Sequence, residues 1–221
     1  MSISSRLLPH QRVFAAFAIY AFGLGQIFPR LPDVKAAMGI AEGTLGLALI
    51  GAPLGTLIAL TLSAPLIERL GYRASLLALM PLLSLFYAIA IHANGPLALF
   101  LLLIPAGLAI GAIEVIVNIE ADRTEAALGR RIMNRSHAFW SLGFFGAGIF
   151  SAAMAQFGIT PQWQLGIAFP LVAFATWLCL ADYMPAPKRG TDSQDITPLV
   201  ARPSLAVMVL VGVTLSAMLL E

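Results

Sequence analysis

The chain has 221 residues, of which 59% are hydrophobic and 11% charged, with a formal net charge of +2 and a mean hydropathy of +0.89. A soluble domain carries about 25% charged residues, so these values exclude a soluble globular fold and point to the lipid bilayer. The basic residues sit in short loops between apolar runs, which argues against a nucleic-acid partner, and a single cysteine, Cys179, leaves no disulfide framework.

In chain order, a short polar start with Arg6, His10 and Arg12 precedes a first apolar run, Val13 to Phe28. Further apolar runs follow, so this one reads as a retained span and not as a signal peptide. The second run is Leu45 to Ile67, the third Ala74 to Ile91, the fourth Leu97 to Glu125, the fifth His137 to Phe157 and the sixth Trp163 to Tyr183. Each has the length of a tilted spanning helix. A polar, proline-rich stretch at 184–203 reads as a cytoplasmic linker. A seventh run begins near Ser204 and is cut off at Glu221. Pro81, Pro105 and Pro170 fall within spans, and small-xxx-small pairs recur at Gly51/Gly55, Gly107/Gly111 and Gly143/Ala147.

With the N-terminus in the cytoplasm, eleven of the thirteen Lys and Arg lie on the cytoplasmic side, and only Arg30 and Lys35 lie opposite. That is a strong positive-inside pattern, and it predicts a multi-pass protein with its N-terminus in the cytoplasm.

The fourth run carries Glu114, with Asn118 one turn on. At about 100° per residue Gly107, Gly111, Glu114, Asn118 and Ala121 share one face. A charged carboxyl at the centre of a span costs about 2.5–3.5 kcal/mol on insertion scales, and its default reading is an ion or substrate pathway. The bland alternative is a carboxyl that bonds Asn118 and only locks packing. Gln26 and Arg30 close the first span and could present donors to a hydroxylated or anionic solute. Arg30 reads equally well as an interfacial arginine. His137 and Ser141 share a face of the fifth span. His137 could take a proton or bond Glu114, or it could sit at the headgroup level as Trp140 is expected to do. Asn134 and Arg135 read as caps of the fifth helix. No HExxH, GxSxG or lysine-bearing phosphate loop occurs, and the three histidines have no metal-ligand spacing. Neither an enzyme nor a metal or other cofactor is therefore expected.

Ala64-Pro-Leu-Ile-Glu-Arg-Leu-Gly-Tyr-Arg-Ala-Ser-Leu76 resembles the signature loop of the major facilitator superfamily between its second and third helices. Leu66, Arg69, Gly71, Arg73 and Leu76 match, whereas Ala64 and Glu68 replace a glycine and an aspartate. The resemblance implies that Glu68, Arg69, Gly71 and Arg73 form a gating loop. More narrowly, LPDVKAAMGIAEGTLGLALIG, Glu114-x-x-x-Asn118-x-Glu120 and GRRIMNRSHAFWSLG resemble a bacterial branch near the fucose permeases, of mostly unknown substrate. The resemblance implies an all-α membrane protein: a six-helix N-terminal bundle over 1–183, built as two inverted three-helix repeats, then a linker over 184–203 and the start of a seventh helix over 204–221.

It also implies alternating-access transport of a small, sugar-like solute coupled to protons, with Glu114 and Glu221 as proton carriers and Asn118, Gln26, Arg30 and His137 near the substrate. Two departures weaken a drug-exporter variant: Leu103 stands where an arginine is usual, and Ser141 to Gly148 lacks the Gly-Pro pair of antiporter fifth helices. An exporter of the same fold, and a membrane enzyme or scaffold without transport, are the alternatives.

Overall fold

A computed structural model describes residues 7–188. Glu221, the seventh span and residues 189–203 of the linker lie outside the described residues. Among the described residues every regular element is helical: α1 Pro9–Gly25, a 3₁₀ turn Phe28–Arg30, α2 Leu31–Met38, α3 Glu42–Leu49, α4 Gly51–Leu62, α5 Ala64–Leu70, α6 Tyr72–Ala90, α7 Pro96–Leu128, α8 Met133–Gln156 and α9 Pro161–Leu180. Six stretches are long and apolar enough to cross a membrane: Pro9–Met38, Glu42–Leu62, Tyr72–Ala90, Pro96–Leu128, Met133–Gln156 and Pro161–Leu180. With the composition, these make the chain a multi-pass membrane protein.

Local chemistry sets the boundaries. Pro9, Pro96 and Pro161 stand in the first turns of their helices, where a missing N–H costs nothing. The first span, expected to end at Phe28, is extended by a 3₁₀ turn and α2, so it continues to Met38. The second span is nearly continuous from α3 to α4, and α5 follows it into the signature loop. Gly71 then breaks the chain with φ +82 and ψ 145, a region that essentially only glycine occupies. Glu125, and not Asn134 or Arg135, caps α8. Its Oε2 accepts from the backbone N–H groups of Ile132 and Met133 at 2.7 and 3.0 Å, placing negative charge at the helix N-terminus.

Small residues decide how the helices pack. A Cβ on Gly51 would run into the carbonyl oxygen of Phe100, on Gly55 into that of Ile104, and on Gly107 into that of Ala52; on Gly111 it would lie 2.9 Å from the Ala59 methyl. The two glycine pairs therefore face each other and bring α4 and α7 into backbone contact, with Thr56 Oγ1 donating to Gly107 O across the crossing at 3.2 Å. Gly143 and Ala147 of α8 do the same against Ala18 and Gly25 of α1.

The broadest helix contacts are α4 with α7 and α1 with α8, followed by α6 with α9, α6 with α7 and α1 with α9. Exchanging spans one and four, two and five, and three and six maps the second–fourth contact onto the fifth–first contact. The same exchange maps the third–fourth contact onto the sixth–first and leaves the third–sixth contact in place. Since successive spans alternate in direction, this is the pattern of two inverted three-helix repeats. Phe17, Met80, Leu83, Leu103, Ile113 and Leu165 are among the fully buried side chains between them.

Candidate functional site

Glu114 stands at the middle of the 33-residue α7 and is partly buried. Asn118, one turn on, donates through Nδ2 to Glu114 Oε1 at 3.1 Å and to the Glu114 carbonyl at 2.9 Å. From α1 the Tyr20 side chain, 2% exposed, lies within electrostatic reach of the same carboxyl. The stripe read as one face therefore divides in two. Its glycine end closes on α4, and its carboxyl end meets α1, because the longer Glu114 side chain reaches past the tight glycine crossing.

Aromatic groups from α1 and α8 stand along the adjoining seam. His137 meets the Phe17 ring edge-on at 5.2 Å. Trp140 stacks on Phe144 with centroids 5.3 Å apart, and Phe144 in turn meets Phe28 at 5.7 Å. His137 is exposed and contacts the Phe17 ring, and Tyr20 is the group from another span within electrostatic reach of Glu114. Ser141 turns its hydroxyl back to the His137 carbonyl at 3.1 Å. One turn from Tyr20 and Glu114, at Leu24 and Ile110, begins an apolar groove of about 560 Å³ between α1, α3–α4 and α7.

Gln26 and Arg30 lie deeper in the protein than their position at a helix end suggests, at 1% and 4% exposure. The Arg30 guanidinium donates to Gln164 Oε1 through Nε, to Asp33 at 3.2 Å and to the Ile159 carbonyl at 2.9 Å. Gln164 Nε2 binds the Gln26 carbonyl and side-chain oxygens at 3.3 and 3.2 Å and also reaches Ser151. The group joins the ends of α1, α8 and α9, so the Arg30 donors expected to face a solute are engaged within the bundle, whereas Gln26 only accepts there and its buried Nε2 has no hydrogen-bond partner.

At the other end, Glu68, Arg69 and Arg73 are exposed and make no ion pair among the described residues. α5 carries Glu68 and Arg69 on its exposed side, and Arg73 is exposed in the first turn of α6. Gly71 makes the expected turn. Glu221 lies outside the described residues. Among the described residues no group of three or more His, Cys, Asp or Glu side chains could hold a metal ion. Sequence reading missed Tyr20, Gln164 and Ser151. Each is a single polar group in an apolar run, and the signal that could have found them is that such groups need partners when buried.

No family model matches the chain, and no solved structure matches it. Two curated relatives do. One, named an uncharacterized MFS-type transporter, from Yersinia pestis, is 33% identical over 147 residues, 66% of this chain and 38% of that protein. That similarity supports a chain of the major facilitator type. The second relative, an uncharacterized transporter of Sinorhizobium fredii, is 32% identical over 141 residues, 62% of this chain and 36% of that protein. The chain thus matches well under half the length of either curated relative. The six spans, the inverted pairing and the glycine turn after α5 agree with the superfamily's layout.

Proposed function

We propose that this chain is the N-terminal half of a major facilitator-type secondary transporter that moves a small solute by alternating access, with the proton gradient as its energy source. Glu114 carries the proton. The supporting observation is its setting: a carboxyl in the middle of an apolar span, with Tyr20 of another span beside it and Asn118 of its own bonded to it. A carboxyl so placed can be protonated from one side and released to the other as the surrounding helices rock. Asn118 and the aromatic seam of His137, Trp140 and Phe144 line the solute's path on this half, with Gln26 and Arg30 setting its floor. Glu221 is a second proton-carrying carboxyl in this reading. The N-terminus and the Glu68–Arg73 loop face the cytoplasm, and the membrane is the bacterial inner membrane. A sugar or similar polar solute is the proposed cargo, by resemblance to the fucose-permease branch.

The test is reconstitution of the full-length protein into liposomes loaded with a pH-sensitive dye, followed by a panel of neutral sugars and polyols. A solute that carries protons inward identifies the cargo. With that solute, Glu114→Gln abolishes gradient-driven accumulation and spares solute exchange. Unchanged accumulation removes Glu114 from the mechanism.

A further inference from the structure

The polar groups at the basic end of the bundle that the transport reading leaves unused gather around Glu120. This carboxylate sits on α7 at 2% exposure. Its Oε2 accepts from the Tyr183 hydroxyl and from the backbone N–H of Ala186 at 3.0 Å. Arg123 stands 3.5 Å from Oε1. Arg123 also donates to the Tyr72 hydroxyl at 3.3 Å and lies over the Tyr72 ring, 4.8 Å from its centre. Tyr72 directly follows Gly71, the turn of the signature loop. From α1, Arg12 donates to the Asp182 carbonyl at 2.8 Å. The chain leaving α9 is therefore held from two other spans.

We propose that Glu120 is a latch: it pins the root of the chain's exit from the bundle, Asp182 to Ala186, and couples that root through Arg123 to the Gly71–Tyr72 turn.

The sequence of the held segment supports this assignment. Ala186 lies between Pro185 and Pro187, which have no N–H, so its amide is the one backbone donor between Met184 and Lys188. Glu120 takes that donor. The flanking prolines also restrict the backbone on both sides, so fixing Ala186 fixes the direction of the whole segment. Tyr183 is 5% exposed. Burial, and then the nearby Glu120 charge, push its ionisation well above the usual tyrosine range, which keeps it a donor. A buried carboxylate is stable only when such donors surround it. Loss of Glu120 thus frees both Tyr183 and Ala186 at once. None of this depends on proton coupling at Glu114.

Trypsin reads the latch directly in the full chain, purified in lipid nanodiscs. Proteases hold substrates as extended strands through main-chain hydrogen bonds, and Ala186 is two residues before the cleavable bond after Lys188. Cleavage there requires Ala186 to leave Glu120, a local opening. With cleavage sites assigned by mass spectrometry, Glu120→Ala raises the rate after Lys188 about tenfold, the effect of losing charge-assisted hydrogen bonds. Tyr183→Phe raises it less, and Glu120→Ala also raises cleavage after Arg73. Cleavage after Lys35, at the far end, stays constant and reports an intact bundle. An unchanged Lys188 rate in Glu120→Ala overturns the latch. An unchanged Arg73 rate overturns the coupling to the loop. Should Glu120→Ala loosen the Lys35 site as well, Tyr183→Phe decides: a raised Lys188 rate supports the latch, and a wild-type rate overturns it.

Discussion

Tyr20 of α1 and Glu114 of α7 meet inside two apolar spans, the phenol within electrostatic reach of the carboxyl. The first and fourth spans correspond under the inverted repeat, so this contact joins equivalent helices of the two three-helix units. It gives the buried carboxyl a neighbour from a different helix, which Asn118 on the same helix cannot do.

A double-mutant cycle measures this contact. Tyr20→Phe alone removes the hydroxyl beside the carboxyl and lowers stability by about 1.5–3 kcal/mol, the range for hydrogen bonds to charged groups. In a Glu114→Gln background the same change costs less, with a coupling of about 0.5–3 kcal/mol. Thermal unfolding in detergent reports both values. Additive effects would show that the two side chains do not interact.

The glycines of α8 separate packing from composition. Gly143→Ala drives a methyl into the Ala18 backbone, which cannot yield, whereas a methyl on Gly148 meets open space. Gly143→Ala is expected to destabilise the bundle by about 1–3 kcal/mol, the cost of overpacking, with Gly148→Ala near neutral. Melting temperatures of the two variants, compared side by side, check this. Equal melting points would refute the close approach of α1 and α8.

Arg30 holds the opposite end of the bundle. Arg30→Lys keeps the charge but loses the planar fork that serves Gln164 and Ile159 together, and stability falls by about 1.5–3 kcal/mol. Asp33 is 49% exposed at its side chain, so Asp33→Asn costs under about 1 kcal/mol. Chemical denaturation in detergent ranks the two. The reverse order would mean that the ion pair, and not the hydrogen bonds, carries the site.

Gly71→Ala forces a Cβ into a backbone region that costs about 1–3 kcal/mol. The strain is local, so the expected result is faster trypsin cleavage after Arg69 and Arg73, with unfolding of the whole bundle only slightly earlier. An unaltered cleavage pattern would argue against the strained turn.

Transport itself separates the half from the whole. Residues 1–221 alone are expected to give no solute uptake in liposomes, because the proposed path needs a second wall. Uptake comparable to the full-length protein would reject the half-transporter reading.

Much of this could be read from residue order alone. Apolar runs near the bilayer thickness marked six spans, since a membrane leaves a backbone little choice but the helix. Gly51/Gly55, Gly107/Gly111 and Gly143/Ala147 marked helix crossings, since only small residues let backbones approach. Gly71 marked its turn. Which helix each crossing meets, and which polar group finds which partner, depended on contacts between residues far apart in the chain. Arg30 and Gln164 are separated by 134 positions, and Glu120 and Tyr183 by 63. Periodicity places a side chain on a face of its own helix but carries no term for the neighbour. That is why His137 was a fair candidate partner for Glu114 and Tyr20 proved to be the group from another span beside it. Local sequence set the helices and their small-residue stripes; the folding of six helices against one another decided where each buried donor and acceptor was satisfied.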